Sequence, residues 1–147
     1  MNPKTSIVIP TYNRETTVSR AIDSVLKQEF GSYEIIIVDD GSVDRTREVI
    51  KQYSDDRIRY IEHEENRGQN VARNTGIDVA EGTYISYLDS DDVLLPQHLE
   101  KVVNKLEELP DEYAGVVTGY EDIVDGEEIP QPGYDGRITN EDLIRDM

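Results

Sequence analysis

The sequence predicts an α/β fold in which helices cover both faces of a mainly parallel sheet. Short apolar runs rich in β-branched residues each lead into a polar loop and then into a helix-like pattern. Strands alternating with amphipathic helices are typical of parallel sheets, because each crossover helix covers one face of the sheet. At 147 residues the chain has the size of one ordinary domain.

Hydrophobic periodicity places the individual elements. The predicted strands cover residues 6–10, 34–38, 58–62, 84–88 and 114–118. Apolar residues at three-to-four spacing predict helices over 16–28, 44–53 and 70–80, and another that begins at Pro96. Asp44 is the expected N-cap of the second helix, residues 122–136 are expected to form a long loop, and Thr139 is expected to cap a final helix.

Composition excludes several classes of protein. The absence of cysteine rules out a disulfide framework, a cysteine-based zinc site and a thiol nucleophile. A net charge of -17 repels nucleic-acid phosphates, so no nucleic-acid partner is expected. No signal-peptide pattern and no apolar run of membrane-spanning length is present, which favours a cytoplasmic protein.

The negative charge is spread along the chain, from Glu15 to Asp146, and arginines outnumber lysines by ten to five. Debye lengths fall from about 10 Å at 0.1 M salt to about 3 Å at 1 M, so concentrated salt would screen the self-repulsion of such a surface. The sequence therefore predicts a halophilic protein.

Three polar clusters follow predicted strands. They are Pro10-Thr11-Tyr12-Asn13, Asp39-Asp40-Gly41-Ser42 and Asp89-Ser90-Asp91-Asp92. Ligands of parallel α/β sheets bind outside the carboxyl ends of the strands. We therefore expect the three clusters to meet in one crevice.

Asp89 and Asp91 are candidate metal ligands. At a spacing of two, both carboxylates of an extended segment project to the same side, where they could share Mg²⁺ or Mn²⁺ with substrate phosphates. The alternative is a solvated turn. A calcium loop starting at Asp89 is excluded, because Val93 and Leu94 occupy the positions that need an oxygen ligand and a glycine.

The other candidate residues have two interpretations each. Asp39 and Asp40 either accept the ring N–H of a pyrimidine or tie down a turn. Tyr12 either stacks on a base or borders the core. Arg67 and Arg73 face a diphosphate or pair with nearby glutamates. His63 and His98 have no partner at catalytic spacing, so both are expected to be surface residues.

Four segments, taken in order, resemble family 2 glycosyltransferases. They are SIVIPTYNR (6–14), IIVDDGSVDRT (36–46), NRGQNVARNTG (66–76) and LDSDD (88–92). The resemblance covers roughly residues 4–120. It implies a Rossmann-like sheet of the GT-A type and an inverting transfer of sugar from a nucleoside diphosphate sugar, usually a UDP-sugar, with Mn²⁺ or Mg²⁺.

The resemblance also implies roles for individual residues. Pro10, Thr11 and Tyr12 would line the base pocket, and Asp40, with Asp39 beside it, would bond the uracil. Gly68 and Arg73 would close over the nucleoside and diphosphate. Asp89 would reach the ribose or the metal, and Asp91 would ligate the metal.

The resemblance further implies a domain division. Residues 1–120 would bind the nucleotide sugar, and residues 121–147 would begin an acceptor-binding half whose general base is expected beyond Met147. The acceptor stays unidentified, and attachment to the inner face of the membrane is expected only through further segments or partners. Two alternatives stay open: a non-catalytic nucleotide-sugar-binding module, and a phosphoacceptor receiver domain, which needs its acidic pair on the first strand.

Overall fold

The computed structural model describes residues 2–110, 113, 115–119, 121–124 and 127–130 of the chain. Its elements are β1 (Thr5–Thr11), α1 (Val18–Leu26), β2 (Tyr33–Asp39), α2 (Thr46–Ile50), β3 (Ile58–Glu62), α3 (Gln69–Asp78), β4 (Tyr84–Tyr87), α4 (His98–Glu108), β5 (Glu121–Val124) and β6 (Glu127–Pro130). The chain divides into two compact units, Met1–Glu100 and Lys101–Met147. None of the described helices combines the length and apolar character needed to cross a membrane.

The first unit is built on a four-stranded sheet in the order β3-β2-β1-β4. All three neighbouring pairs are parallel, with Ile35 of β2 opposite both Ile7 of β1 and Ile58 of β3. Three crossover segments join β1 to β2, β2 to β3 and β3 to β4. They contain α1, α2 and α3, respectively. This architecture confirms the predicted Rossmann-like α/β fold.

Helices cover both faces of the sheet because side chains alternate along each strand. Ile7 and Ile9 of β1 pack in a cluster with buried residues of α1 and with Ile50 of α2. Val8, between them, packs on the opposite face with Ala72 of α3. The central strands β1 and β2 are therefore buried on both faces, which explains their unbroken apolar runs.

Helix α3 approaches the sheet closely at Gly76. A Cβ built on this glycine would lie 2.4 Å from Val8 Cγ1, closer than atoms can pack, and 3.3 Å from Val8 Cβ, a tight contact. The absence of a side chain at Gly76 thus lets α3 lie against β1.

Several predicted helix limits are wrong by a few residues. Residues 15–17 form a turn, so α1 begins at Val18 rather than at residue 16. Asp44 is not the N-cap of α2, since Arg45 occupies that position; the Asp44 carboxylate instead accepts the N–H of Thr46 over 2.9 Å. Pro96 lies ahead of α4, because its carbonyl accepts the N–H of Glu29 instead of a helical bond.

The second unit contains most of α4 and an antiparallel hairpin, β5–β6. The hairpin corrects the predicted loop over 122–136 where that segment is described, because cross-strand pairs such as Asp122 with Ile129 satisfy the backbone there. Residues 131–136 lie outside the described residues. Residues 115–118 are not a strand, which corrects the fifth predicted strand. Ala114 and Thr139 lie outside the described residues, and the functional division at residue 120 stays a prediction.

Candidate functional site

A cleft of about 370 Å³ lies at the carboxyl ends of β1, β2 and β4. All three polar clusters contribute to it, as expected from the position of the loops. Its lining residues are Pro10, Thr11, Tyr12, Arg14, Asp40, Asn66, Gln69, Ala72, Asp89, Ser90 and Asp91.

The loops after β1 and β2 are tied to each other by side chains. The N–H of Asn13 donates to Ser42 Oγ over 2.9 Å, and the N–H of Val43 donates to Asn13 Oδ1 over 2.9 Å. The N–H of Arg14 donates to Thr46 Oγ1 over 2.7 Å. Asn13 has a positive φ of 53°, which asparagine tolerates better than most residues. These contacts give one wall of the cleft a fixed backbone.

Gly41 lets this wall meet the segment after β3. Its φ is +76°, and a Cβ on it would lie 2.6 Å from the carbonyl carbon of Glu65. Only glycine provides both the left-handed conformation and the space for that backbone. The loop after β2 therefore packs directly against the stretch that leads to α3.

Asp89 and Asp91 line the cleft from the loop after β4, and each has an arginine beside it. Asp89 Oδ1 accepts Arg73 Nη2 and Gln69 Nε2, both over 2.9 Å. Arg14 Nη2 is 3.5 Å from Asp91 Oδ2. Both carboxylates are about half exposed, so a ligand in the cleft can reach them.

The acidic pair fits a hard divalent cation that brings further ligands with it. The described part of the chain contains no group of three or more His, Cys, Asp or Glu residues arranged to hold a metal ion. Carboxylate oxygens are the ligands that Mg²⁺ and Mn²⁺ prefer, and such ions commonly complete their shell with phosphate oxygens and water. Asp89 and Asp91 could therefore hold a cation together with a diphosphate.

Asp40 is buried at the base of the cleft and accepts several hydrogen bonds. Its Oδ2 accepts the N–H groups of Arg67 and Gly68 over 3.0 and 2.7 Å, and its Oδ1 lies 2.7 Å from His63 Nδ1. Burial alone would raise the pKa of this carboxyl, but the hydrogen bonds from His63, Arg67 and Gly68 outweigh burial and lower the pKa below its ordinary value. The Asp40 carboxyl is therefore ionised and is held in place by these hydrogen bonds.

His63 is not the surface residue that the sequence suggested. Its side chain is 7% exposed, and its Nε2 lies 3.0 Å from Thr75 Oγ1 in α3. Neither partner of His63 could be predicted from sequence spacing, because Asp40 is 23 residues away and Thr75 is 12 residues away. The position of His63 immediately after a strand was the available signal.

Asp39 lies behind the cleft and does not line it. Its carboxylate accepts the N–H of Ser42 and the hydroxyl of Tyr60, both over 2.9 Å, and it is 1% exposed. Burial and the Asp39 carboxylate raise the pKa of the Tyr60 phenol well above its ordinary value. The Asp39 carboxylate therefore stabilises the turn after β2, which was the second of its two interpretations from the sequence.

Gly68 and Arg73 are not lining residues of the cleft, but each donates a hydrogen bond to a residue that lines it. Gly68, with φ at +94°, precedes α3 and donates to Asp40, whereas Arg73 donates to Asp89 and lies over the ring of Tyr87. Five cleft residues received no individual role from the sequence although each lies in one of the four segments: Arg14, Asn66, Gln69, Ala72 and Ser90. Tyr12 is 40% exposed and presents an aromatic side chain at the cleft.

The order of the segments and the cleft they form agree with comparisons to known proteins. The family model described as Glycosyl transferase family 2 matches residues 6–145. The chain belongs to glycosyl transferase family 2. Membership excludes the receiver-domain alternative, which in any case required the acidic pair on β1 rather than after β2.

Relatives of this family 2 chain include sugar transferases. It is 41% identical over 101 residues to the UDP-Glc:alpha-D-GlcNAc-diphosphoundecaprenol beta-1,3-glucosyltransferase WfgD of Escherichia coli, covering 69% of this chain and 40% of that protein. The chain thus spans less than half the length of this relative.

Two solved structures share the GT-A fold. S. aureus TarS 1–349 in complex with UDP-GlcNAc superposes with a TM-score of 0.72 at 27% identity, covering 87% of this chain and 37% of that one. The mannosyltransferase PcManGT from Pyrobaculum calidifontis, in complex with GDP-Man and Mn²⁺, gives a TM-score of 0.64 at 25% identity, covering 76% of this chain and 33% of that one.

Proposed function

We propose that this chain contains the donor-binding part of an inverting glycosyltransferase that uses a UDP-sugar and a divalent cation. The observation that carries the proposal is the single cleft in which residues of all four family segments meet. A cleft lined by an aromatic ring and by two carboxylates with arginines beside them suits a ligand with a base and a diphosphate.

The nucleoside would bind beside Pro10, Thr11 and Tyr12. The Tyr12 ring is exposed enough to stack on a base, and Thr11 Oγ1 is buried without a hydrogen-bond partner among the described residues. Asp40 lines the same part of the cleft, and its carboxylate would accept the ring N–H of uracil. TarS, crystallised with UDP-GlcNAc, supports a uridine nucleotide.

The diphosphate would bind between Arg14 and Arg73. Asp89 and Asp91 would hold Mn²⁺ or Mg²⁺, and the complex of PcManGT with GDP-Man and Mn²⁺ supports the use of a divalent metal. When bound, the cation would neutralise the negative charge that grows on the departing UDP. The two arginines supply further positive charge that is already positioned beside the acidic pair.

Transfer requires an acceptor hydroxyl to attack the anomeric carbon from the face opposite UDP, which inverts that carbon. The hydroxyl loses its proton to a general base as the bond to UDP breaks. The relative WfgD uses a lipid-linked acceptor, a GlcNAc-diphosphoundecaprenol, which supports action at the cytoplasmic face of a membrane.

Calorimetric titration of UDP tests the proposal. The titration is performed in concentrated KCl, with and without Mn²⁺ and again with Mg²⁺, and AMP serves as the control nucleotide. We expect UDP to bind in a metal-dependent manner and AMP to bind at least tenfold more weakly. Folded protein that binds UDP no better than AMP would contradict the proposal.

A further inference from the structure

Asp40 links the end of β2 to the segment that enters α3. The carboxylate is only 3% exposed, and both of its oxygens accept the N–H of Arg67, at 3.1 and 3.0 Å. Asn66 and Gln69, on either side of this contact, line the cleft. The orientation of the Asp40 carboxylate therefore sets the backbone of one part of the cleft wall.

His63 contacts this carboxylate and does not itself line the cleft. The backbone N–H of His63 donates to the backbone carbonyl of Asp39 over 2.8 Å, which fixes His63 to the end of β2. Its ring lies between Asp40 and Thr75, at 2.7 and 3.0 Å respectively. Asp40 already accepts backbone N–H groups on both oxygens, so the proton of the short contact belongs to His63 Nδ1.

We propose that His63 is a positioning residue of the donor cleft. Its Nδ1–H holds the Asp40 carboxylate in the orientation that binds the N–H groups of Arg67 and Gly68. Asn66 and Gln69 thereby keep their places in the cleft before the ligand arrives. The role in ligand binding rests on the proposed function, whereas the role in ordering the backbone does not.

Substitutions at His63 separate this role from simple space filling. Asparagine places an amide N–H near the position of Nδ1, whereas the longer glutamine side chain places it near Nε2. Phenylalanine keeps the ring and donates no hydrogen bond. His63→Asn should therefore preserve the contact with Asp40, while His63→Gln and His63→Phe should lose it.

The first readout is amide hydrogen exchange measured by NMR without ligand. Arg67 is the cleaner reporter, because the N–H of Gly68 also lies 3.1 Å from Asn66 Oδ1. We expect exchange at Arg67 to accelerate at least tenfold in His63→Phe and His63→Gln and to stay within about threefold of wild type in His63→Asn. Thr75→Val is the matched control and should behave like His63→Asn, because it removes the partner of Nε2 and a hydrogen bond to the Val71 carbonyl within α3 but leaves the contact of Nδ1 with Asp40.

The second readout is the affinity for UDP with Mn²⁺. We expect about a tenfold loss in His63→Phe and His63→Gln, and near wild-type affinity in His63→Asn and Thr75→Val. The proposal is overturned if His63→Phe keeps both readouts, or if Thr75→Val loses them as strongly as His63→Phe. If His63→Phe fails to fold, His63→Asn and His63→Gln are compared instead. A loss in His63→Gln alone supports the proposal, and equal readouts in the two variants overturn it.

The two readouts also separate this proposal from the proposed function. Wild-type protein that binds no UDP would contradict the proposed function, and the exchange of Arg67 in the four variants would still support or overturn the role of His63.

Discussion

Arg14 Nη2 lies 3.5 Å from Asp91 Oδ2, across the cleft from the loop after β1 to the loop after β4. The two side chains are 45% and 53% exposed, so the ion pair itself contributes little to stability. The ion pair instead holds the Arg14 guanidinium beside the carboxylates that would bind the cation. Arg73 does the same for Asp89.

Replacing Arg14 should therefore weaken ligand binding without unfolding the protein. We expect Arg14→Gln to reduce UDP affinity about tenfold in calorimetry and to change the free energy of unfolding by less than about 0.5 kcal/mol. Arg45→Gln is the control, because Arg45 pairs with Glu15 outside the cleft and its side chain is 80% exposed. Equal losses in both variants would show that net charge, rather than position, governs the affinity.

Removing the Asp91 carboxylate should abolish the metal-dependent part of UDP binding. We expect Asp91→Ala to give the same UDP affinity with and without Mn²⁺, with an unchanged circular dichroism spectrum, because the side chain is half exposed and outside the core. Asp78→Ala removes an equal charge from an exposed position of α3 and should keep the metal dependence. An unchanged Mn²⁺ effect in Asp91→Ala would remove the metal assignment.

Adding one methyl group at Gly76 should destabilise the fold. The new Cβ would clash with Val8, and this overpacking should cost about 1–3 kcal/mol in denaturant unfolding, more than the gain in helix propensity of about 1 kcal/mol. Gly31→Ala is the control, since nothing lies within 4 Å of its Cβ position.

The clash at Gly76 has a direct test. In a double-mutant cycle, Val8→Ala should relieve part of the cost of Gly76→Ala, so the double variant should be more stable than the sum of the single changes predicts. Strict additivity would mean that the contact between α3 and β1 is not what limits residue 76.

Asp55 should contribute stability that disappears in acid. Side-chain and backbone hydrogen bonds from Arg57, at 2.8 and 2.9 Å, lower the pKa of Asp55 to about 2. Its pKa in the unfolded chain is about 4, so the contribution is fully present above about pH 4 and is lost as the pH falls towards 2. The stability difference between wild type and Asp55→Asn should shrink over that interval.

The measurement for Asp55 is denaturant unfolding at pH values from about 2 to 7. Asp56→Asn, a change at the exposed neighbouring position, controls for the loss of one negative charge. A difference between wild type and Asp55→Asn that stays constant over this range would contradict the assignment.

Concentrated salt should stabilise the protein. With a net charge of -17, screening of repulsion between like charges favours the compact state. We expect the thermal unfolding midpoint to rise steadily between about 0.1 M and 2 M KCl, over which the Debye length falls below about 3 Å. A midpoint that is higher in dilute buffer would refute the prediction of a halophilic protein.

The elements of the first unit could be predicted because their patterns are local. The strand at Ile58–Glu62 was predicted with its observed ends, and the buried strands were each within one residue of theirs at either end. Helix ends were less predictable, because side-chain and tertiary hydrogen bonds, such as that of the Glu29 N–H to the Pro96 carbonyl ahead of α4, replace terminal helical bonds. The β5–β6 hairpin was missed because its strands are short and rich in acidic residues.

The sequence by itself determined the α/β architecture, the family and the meeting of three strand-end clusters at one edge of the sheet. Each of these follows from residue patterns that repeat over short distances and from the common direction of parallel strands. Only the tertiary structure decided which side chains point into the cleft and which support it from behind. Asp39 and Asp40 are neighbours in sequence, yet one holds a turn and the other lines the cleft. Apart from the local bond of Asp39 to Ser42, the side-chain partners of both lie on β3 or in the segment that follows it, and packing of that segment fixes the choice.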